Sequence, residues 1–168
     1  LADEVGLGKT IEAGTIIRQY ILDEKEKPIV LVLVPDHLVN QWESELSSKF
    51  HLHHYLNKGI WITSYDDLLK LDVEGIDRGL LVIDEAHHIA DKAWSKDTDV
   101  KGVYQKASDI ATSWDKILLL SATPVLNNEA GFLAMLHLID PQFYDIEDLE
   151  GFRKKIRDRQ TIANAHQR

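Results

Sequence analysis

The sequence predicts an α/β fold, a three-layer α/β/α arrangement in which a mainly parallel sheet is covered by helices on both faces. Three observations carry this. Ile29-Val-Leu-Val-Leu-Val34 and Leu80-Leu-Val-Ile83 are apolar at every position, the pattern of strands buried on both sides. Segments with helical spacing alternate with these runs along the chain, as in a parallel sheet joined by helical crossovers. The length of 168 residues, with 44% hydrophobic and 28% charged, allows one lobe with a sizeable core.

The elements follow in order. After Lys9 a helix carries Ala13, Ile16, Ile17, Tyr20 and Ile21 on one face and leaves through the polar Asp23-Glu-Lys-Glu-Lys27. Pro28 and Pro35 bracket the first strand. Asp36 is placed to cap a helix through about Lys49, with Val39, Trp42 and Leu46 as its buried stripe and Trp42 expected in the core. Ile60-Trp-Ile-Thr63 is a short strand by its β-branched content, and Ser64-Tyr-Asp-Asp67 can start a helix through Leu71. Gly75 and Gly79 bracket a turn before Leu80–Ile83.

From Asp91 to Ser113 the chain is polar, with Trp94 and Tyr104 among Lys92, Lys96, Lys101 and Lys106. Aromatics between lysines can stack on bases. Asp91, Asp97, Asp99 and Asp109 cancel that charge, so pinning a surface excursion to the body is the expected role. Lys116-Ile-Leu-Leu-Leu120 is the next buried strand. Asn127 or Asn128 caps a helix bearing Leu133, Leu136 and Leu138, closed by Asp140-Pro141. The tail from Ile146 sets Phe152 and Ile156 on one face and Arg153, Lys154, Lys155, Arg157 and Arg159 around it. A solvated helix or linker is expected there ahead of a phosphate contact. Residues 1–145 thus form the lobe and 146–168 a C-terminal basic helix or linker.

Composition narrows the function classes. The chain has no cysteine, which excludes disulfides and thiolate metal sites. Its longest apolar run, Ile29 to Val34, is far shorter than a membrane span, and the N-terminus has no signal-peptide pattern, so a cytoplasmic protein without a membrane partner is expected. A net charge of −9 requires any nucleic-acid contact to be local, or to lie outside this stretch. His51-Leu-His-His54 lacks ligand carboxylates at useful spacing, which leaves a polar loop as its expected reading.

Chemistry concentrates in three places. Asp3-Glu-Val-Gly-Leu-Gly-Lys-Thr10 reads as a phosphate-binding loop. Gly6, Leu7 and Gly8 would cradle an anion at a helix N-terminus, Lys9 would reach the β/γ-phosphates, and Thr10 would hold Mg²⁺. Asp3 stands where the strict pattern has glycine, and a Gly-rich turn with a solvated lysine is the alternative. Asp84-Glu-Ala-His-His88 follows the apolar strand, and adjacent carboxylates there are costly to ionise without a cation. Asp84 would hold Mg²⁺ and Glu85 would orient and deprotonate an attacking water, the alternative being a helix cap by Asp84. Ser121-Ala-Thr-Pro124 places small hydroxyls at a strand tip, where they can sense a neighbouring site or simply end the strand.

The loop at Lys9-Thr10, Val34-Pro35 with Gln41-Trp42, Thr63-Ser-Tyr65, Asp84-Glu-Ala-His87 and Leu120-Ser-Ala-Thr-Pro124 occur in the order of motifs I, Ia, Ib, II and III. Together they resemble the first RecA-like lobe of a superfamily 2 helicase-like ATPase with a DEAH-type box. The wording of motif I and Ala122-Thr-Pro-Val-Leu-Asn127 is similar to the Swi/Snf branch, and within it to the bacterial RNA-polymerase-recycling ATPases and their phage-defence relatives. The resemblance implies ATP and Mg²⁺ at Gly6, Gly8, Lys9 and Thr10, with Asp84 and Glu85 as the metal and hydrolysis pair. It implies that His87 links the nucleotide site to a second lobe, and that Ser121 and Thr123 couple it to nucleic acid. Members of the branch typically move along double-stranded DNA and displace bound proteins, RNA polymerase or another DNA-bound complex among them.

The departures set further expectations. The strand that feeds motif I is reduced to Leu1-Ala2, so the lobe reads as N-terminally truncated, with unpaired sheet edges and a loop short of its anchor. Motifs IV to VI, and the arginines that meet the γ-phosphate in relatives, do not occur in these residues. Two other functions stay in view: a strand-separating helicase of the same superfamily, and a module that binds ATP without turnover.

Overall fold

The computed structural model describes residues 8–24, 27–76, 78–122 and 128–166, the last seven of these as helical backbone. Four strands, β1 (Val30–Val34), β2 (Ile60–Ser64), β3 (Leu80–Ile83) and β4 (Lys116–Leu119), pair in parallel in the order β2-β1-β3-β4. Leu31 lies beside Trp61 on one side and Leu81 on the other, and Leu81 beside Ile117. The helices are α1 (Lys9–Asp23), α2 (Val39–Ser48), α3 (Ala86–Lys92), α4 (Thr98–Ser113), α5 (Glu129–Ile139) and α6 (Leu149–His166).

The alternation of side chains along a strand divides the apolar runs between two cores. Val30, Val32 and Val34, with Leu80 and Val82, pack under Ala13, Ile17, Tyr20 and Ile21 of α1 and Trp42 and Leu46 of α2. Leu31, Leu33, Leu81 and Ile83 face the other way, onto Ala86 and Ile89 of α3, Val103 and Tyr104 of α4, and Ala134 and Leu138 of α5. Helices therefore cover both faces, which is why β1 and β3 are apolar at every position. The expected three-layer α/β/α architecture is the one observed.

Several local expectations change. Asp36 does not cap α2: residues Asp36–Leu38 wind as a 3-10 turn, Leu38 N–H bonding Pro35 O at 2.9 Å, and α2 begins a turn later without a side-chain cap. Past β2 there is a 3-10 turn at Leu68–Lys70 in place of a helix. Ser64 Oγ accepts from Asp67 N–H at 3.2 Å and donates to Asp67 Oδ2 at 3.1 Å, a local closure that competes with helical hydrogen bonds. Ile16 turns outward while Ile17 is buried. Lys116 is exposed and the rest of β4 half-buried, because among the described strands β4 pairs only with β3.

Other expectations hold. Tyr104 Oη donates to Ala134 O and Trp94 Nε1 to Ala130 O, both at 3.0 Å, so these aromatics pin α4 and the end of α3 to α5. Asn128 Oδ1 accepts from Gly131 N–H at 2.9 Å, capping α5, while its Nδ2 donates to Asp91 Oδ1 at 2.7 Å. Asn127, also considered for that cap, lies outside the described residues. Phe152 of α6 meets Phe132 of α5 edge-on, centroids 5.9 Å apart, and Arg153 pairs with Glu129 at 3.1 Å. No described helix is long and apolar enough to cross a membrane.

Two helical glycines should respond to alanine with opposite signs. A Cβ on Gly14 would lie 2.2 Å from Cε2 of the buried Phe50 ring, whereas one on Gly102 meets nothing nearer than Leu69 Cδ2 at 3.8 Å. Gly102→Ala should raise stability by about 0.4–1 kcal/mol through unfolded-state entropy. Gly14→Ala should lose about 1–3 kcal/mol through overpacking. Urea denaturation of the two variants checks both signs.

Candidate functional site

The site begins where α1 begins. Gly8 has φ 93° and ψ 13°, a left-handed conformation suited to glycine, and its carbonyl accepts from Ile11 N–H at 2.9 Å and Glu12 N–H at 3.0 Å. Lys9 follows as the first helical residue and is only 8% exposed, which separates it from a solvated lysine on a Gly-rich turn. Its charge is felt at Asp84 and at His87. Gly6 and Leu7 lie outside the described residues.

β3 supplies the second part. Asp84 N–H donates to Leu33 O at 2.9 Å, extending the ladder one residue past the strand, and leaves the carboxylate 6% exposed at the carboxyl end of the sheet. Asp84 Oδ2 accepts from Trp42 Nε1 and Oδ1 from Glu85 N–H, both at 2.9 Å. Burial pushes the Asp84 carboxyl above its ordinary pKa. The Trp42 and Glu85 N–H bonds and the Lys9 charge oppose that rise, while the Glu85 charge adds to it.

Asp84 is not the helix cap: that position belongs to Glu85, with φ 48° and ψ 47° and no side-chain cap bond. Tyr65 Oη donates to Asp84 O and lies 3.3 Å from Glu85 O. Burial first, and then the two carboxylates, push the Tyr65 pKa far up, so the phenol remains a donor. Glu85 Oε2 is buried with no hydrogen-bond partner. His87 Nδ1 is 3.4 Å from that oxygen and 3.2 Å from Ser121 Oγ. Burial, then the neighbouring His88, lowers the pKa of His87, so its ring is neutral near pH 7 and the Glu85 contact is a proximity without an ion pair.

These pieces share one cavity of about 360 Å³, lined by Gly8, Lys9, Thr10 and Ile11, by Asp84 and Glu85, and by Gln41, Trp42, Glu45 and Lys49 beside them. Lys9, Thr10, Asp84 and Glu85 are thus brought together, with His87 beside Glu85 at the edge and Ser121 beside His87. Thr123 lies outside the described residues. Sequence reasoning placed Trp42 in the core, and it is there at 1% exposure, but its indole N–H also holds Asp84. Gln41 was visible only as part of a motif, and Glu45 and Lys49 were missed, their only signal being a spacing of four from Gln41 along α2 and its C-cap. Tyr65 was visible only as part of a motif.

The donor set fits a magnesium–triphosphate. A buried ammonium and a 15-residue helix N-terminus suit phosphate oxygens, a buried carboxylate and a hydroxyl suit a hard cation, and an unpartnered buried carboxylate oxygen suits a polarised water.

Comparison with known proteins follows the same lines. The SNF2-related domain model matches residues 1–58 and 49–167. RNA polymerase-associated protein RapA of Histophilus somni is 34% identical over 99% of this chain and 19% of its own length. RapA of Vibrio atlanticus is 38% identical over 88% of the chain and 17% of its own length. The chain therefore spans about a fifth of the length of these curated relatives. A solved Sulfolobus solfataricus SWI2/SNF2 ATPase core in complex with dsDNA superposes on 89% of this chain and 33% of its own, with TM-score 0.71 and 22% identity, a likeness of fold. Family model and fold agree along nearly the whole sequence: this chain belongs to the SNF2-related domain family.

Proposed function

We propose that this chain is the ATP-binding part of the first RecA-like lobe of a DNA-dependent ATPase that moves along double-stranded DNA and remodels protein–nucleic acid complexes. The observation that carries the proposal is the convergence of Lys9, Asp84 and Glu85, distant in sequence, on one cavity. Membership of the SNF2-related domain family supports it, as does the naming of the relatives as RNA polymerase-associated. RNA polymerase, or another DNA-bound complex, is the proposed target. A second RecA-like lobe is the proposed partner across the nucleotide.

Each residue then has a task. The backbone at Gly8 and the α1 N-terminus bind phosphate oxygens, and Lys9 holds the β- and γ-phosphates. Gly6 and Leu7 are proposed to continue that cradle. Thr10 and Asp84 would hold Mg²⁺, which when bound neutralises charge on the triphosphate. Glu85 accepts the proton of the attacking water at Oε2, the atom without another partner. His87 and Ser121, 3.2 Å apart, are placed to pass changes at Glu85 outward, with Thr123 as a proposed third member. The same role for Glu85 argues against a module that only binds ATP. A translocase and a strand-separating helicase differ in whether the whole protein displaces a bound roadblock or opens a forked duplex.

Glu85→Gln in the whole protein should reduce DNA-stimulated turnover by about 10²–10⁴-fold while ATP still binds. A phosphate-release assay beside fluorescent-nucleotide binding reads both; an unchanged rate removes Glu85 from the role of base. These 168 residues assayed alone should hydrolyse ATP negligibly, because γ-phosphate arginines contribute about 10³–10⁵ in rate and are proposed to come from the second lobe. Robust DNA-stimulated turnover by the isolated piece would contradict that assignment.

A further inference from the structure

Glu85 adopts φ 48° and ψ 47°, a left-handed conformation disfavoured by any residue with a Cβ, and it does so one residue past the end of β3. Backbone of this kind persists where its surroundings over-determine it, and it directs the side chain that follows. Backbone bonds close this turn, His88 N–H donating to Glu85 O at 2.9 Å and Ala86 N–H to Leu120 O at 2.8 Å, and the side chain that joins them is the phenol of Tyr65. Its hydroxyl donates to Asp84 O and lies 3.3 Å from Glu85 O, so two successive carbonyls converge on one donor.

Tyr65 is itself fixed. It follows β2, its N–H donates to Val34 O at 3.1 Å, and its ring is 6% exposed in the core beneath α3 and α4. Trp42 holds the Asp84 side chain from α2, on the opposite core. Beside these backbone bonds, two distant side chains grip the acid pair, an indole at the Asp84 carboxylate and a phenol at the backbone. These grips come from two elements that the proposed chemistry does not otherwise use.

We propose that Tyr65 is a positioning residue: by donating its hydroxyl to the carbonyls of Asp84 and Glu85 it sets the left-handed turn that aims the Glu85 carboxylate into the cavity. It does not line the cavity and acts through Glu85. This inference rests on the ATPase reading. Its signature is a defect in turnover separated from binding, because Lys9 and the helix N-terminus that hold the phosphates do not depend on the phenol.

The test uses the whole ATPase that carries this lobe, with Tyr65→Phe, which keeps the ring and removes the donor. Turnover should fall by about 10- to 100-fold, the range for small misplacements of a reacting group, with the Kd for a fluorescent ATP analogue unchanged. Incorporating p-aminophenylalanine at 65, which restores a donor, should recover most of the loss. Val103→Ala, a buried α4 position in the same core, serves as the stability control and should lower Tm without a comparable loss of kcat. Wild-type turnover by Tyr65→Phe overturns the inference and leaves the ATPase reading standing. A kcat loss that Val103→Ala reproduces at equal Tm, or a Tyr65→Phe protein that does not fold, assigns the hydroxyl to stability and overturns it too. A wild-type protein that neither binds nor hydrolyses ATP overturns the underlying reading instead.

Discussion

A carboxylate at the end of a buried strand is the constraint to which the surrounding structure responds. Asp84 is 6% exposed, and removing a charge from water is unfavourable unless other groups replace the lost hydration. Three do so. Trp42 donates from α2, Glu85 from its own backbone, and Lys9 contributes positive charge from the start of α1. None of them cancels the effect of burial, which still leaves the Asp84 pKa raised. Such a residual cost suits a site completed by a cation, and the nearby unpartnered oxygen of Glu85 fits the same description.

The sheet makes this arrangement possible. Parallel strands bring their carboxyl ends to one edge, and in open sheets of this kind that edge is where ligands gather. Because β1 and β3 bury side chains on both faces, α1 and α2 can cover one side while α3, α4 and α5 cover the other. The N-terminus of α1 is thereby delivered to the edge where β3 ends. The two cores then reach the acid pair separately, one through the Trp42 indole and the other through the Tyr65 phenol.

Polar side chains that look like surface decoration are used as fasteners in the same design. Asn128 caps α5 and reaches Asp91 near the end of α3, and Trp94 and Tyr104 donate to successive turns of α5. These bonds fix α3, whose first turn carries His87 beside Ser121. Hydrogen bonds between helices, buried at Tyr104 and exposed at Trp94 and Asn128, thus also orient groups at the edge of the cavity.

Alternating helical spacing and fully apolar runs pointed to the layer architecture, because runs of four to six apolar residues such as Ile29–Val34 and Leu80–Ile83, bounded by proline or glycine, suit strands of a sheet covered on both faces. The sequence also pointed to Gly8, Lys9, Asp84 and Glu85 as one group, and they line one cavity, because the phosphate and metal chemistry proposed for them restricts residue type and local spacing. Local rules fell short where a side chain had a choice of partner: Asp36 lost its cap to a 3-10 turn, and Ser64 and Asp67 closed on each other in place of starting a helix. Only the tertiary structure decided that Glu85 turns left-handed, that Trp42 serves both core and carboxylate, and that Tyr65 holds the backbone of the acid pair. Those facts depend on contacts between residues far apart in the chain, and no periodicity or spacing encodes which donor reaches a buried acceptor.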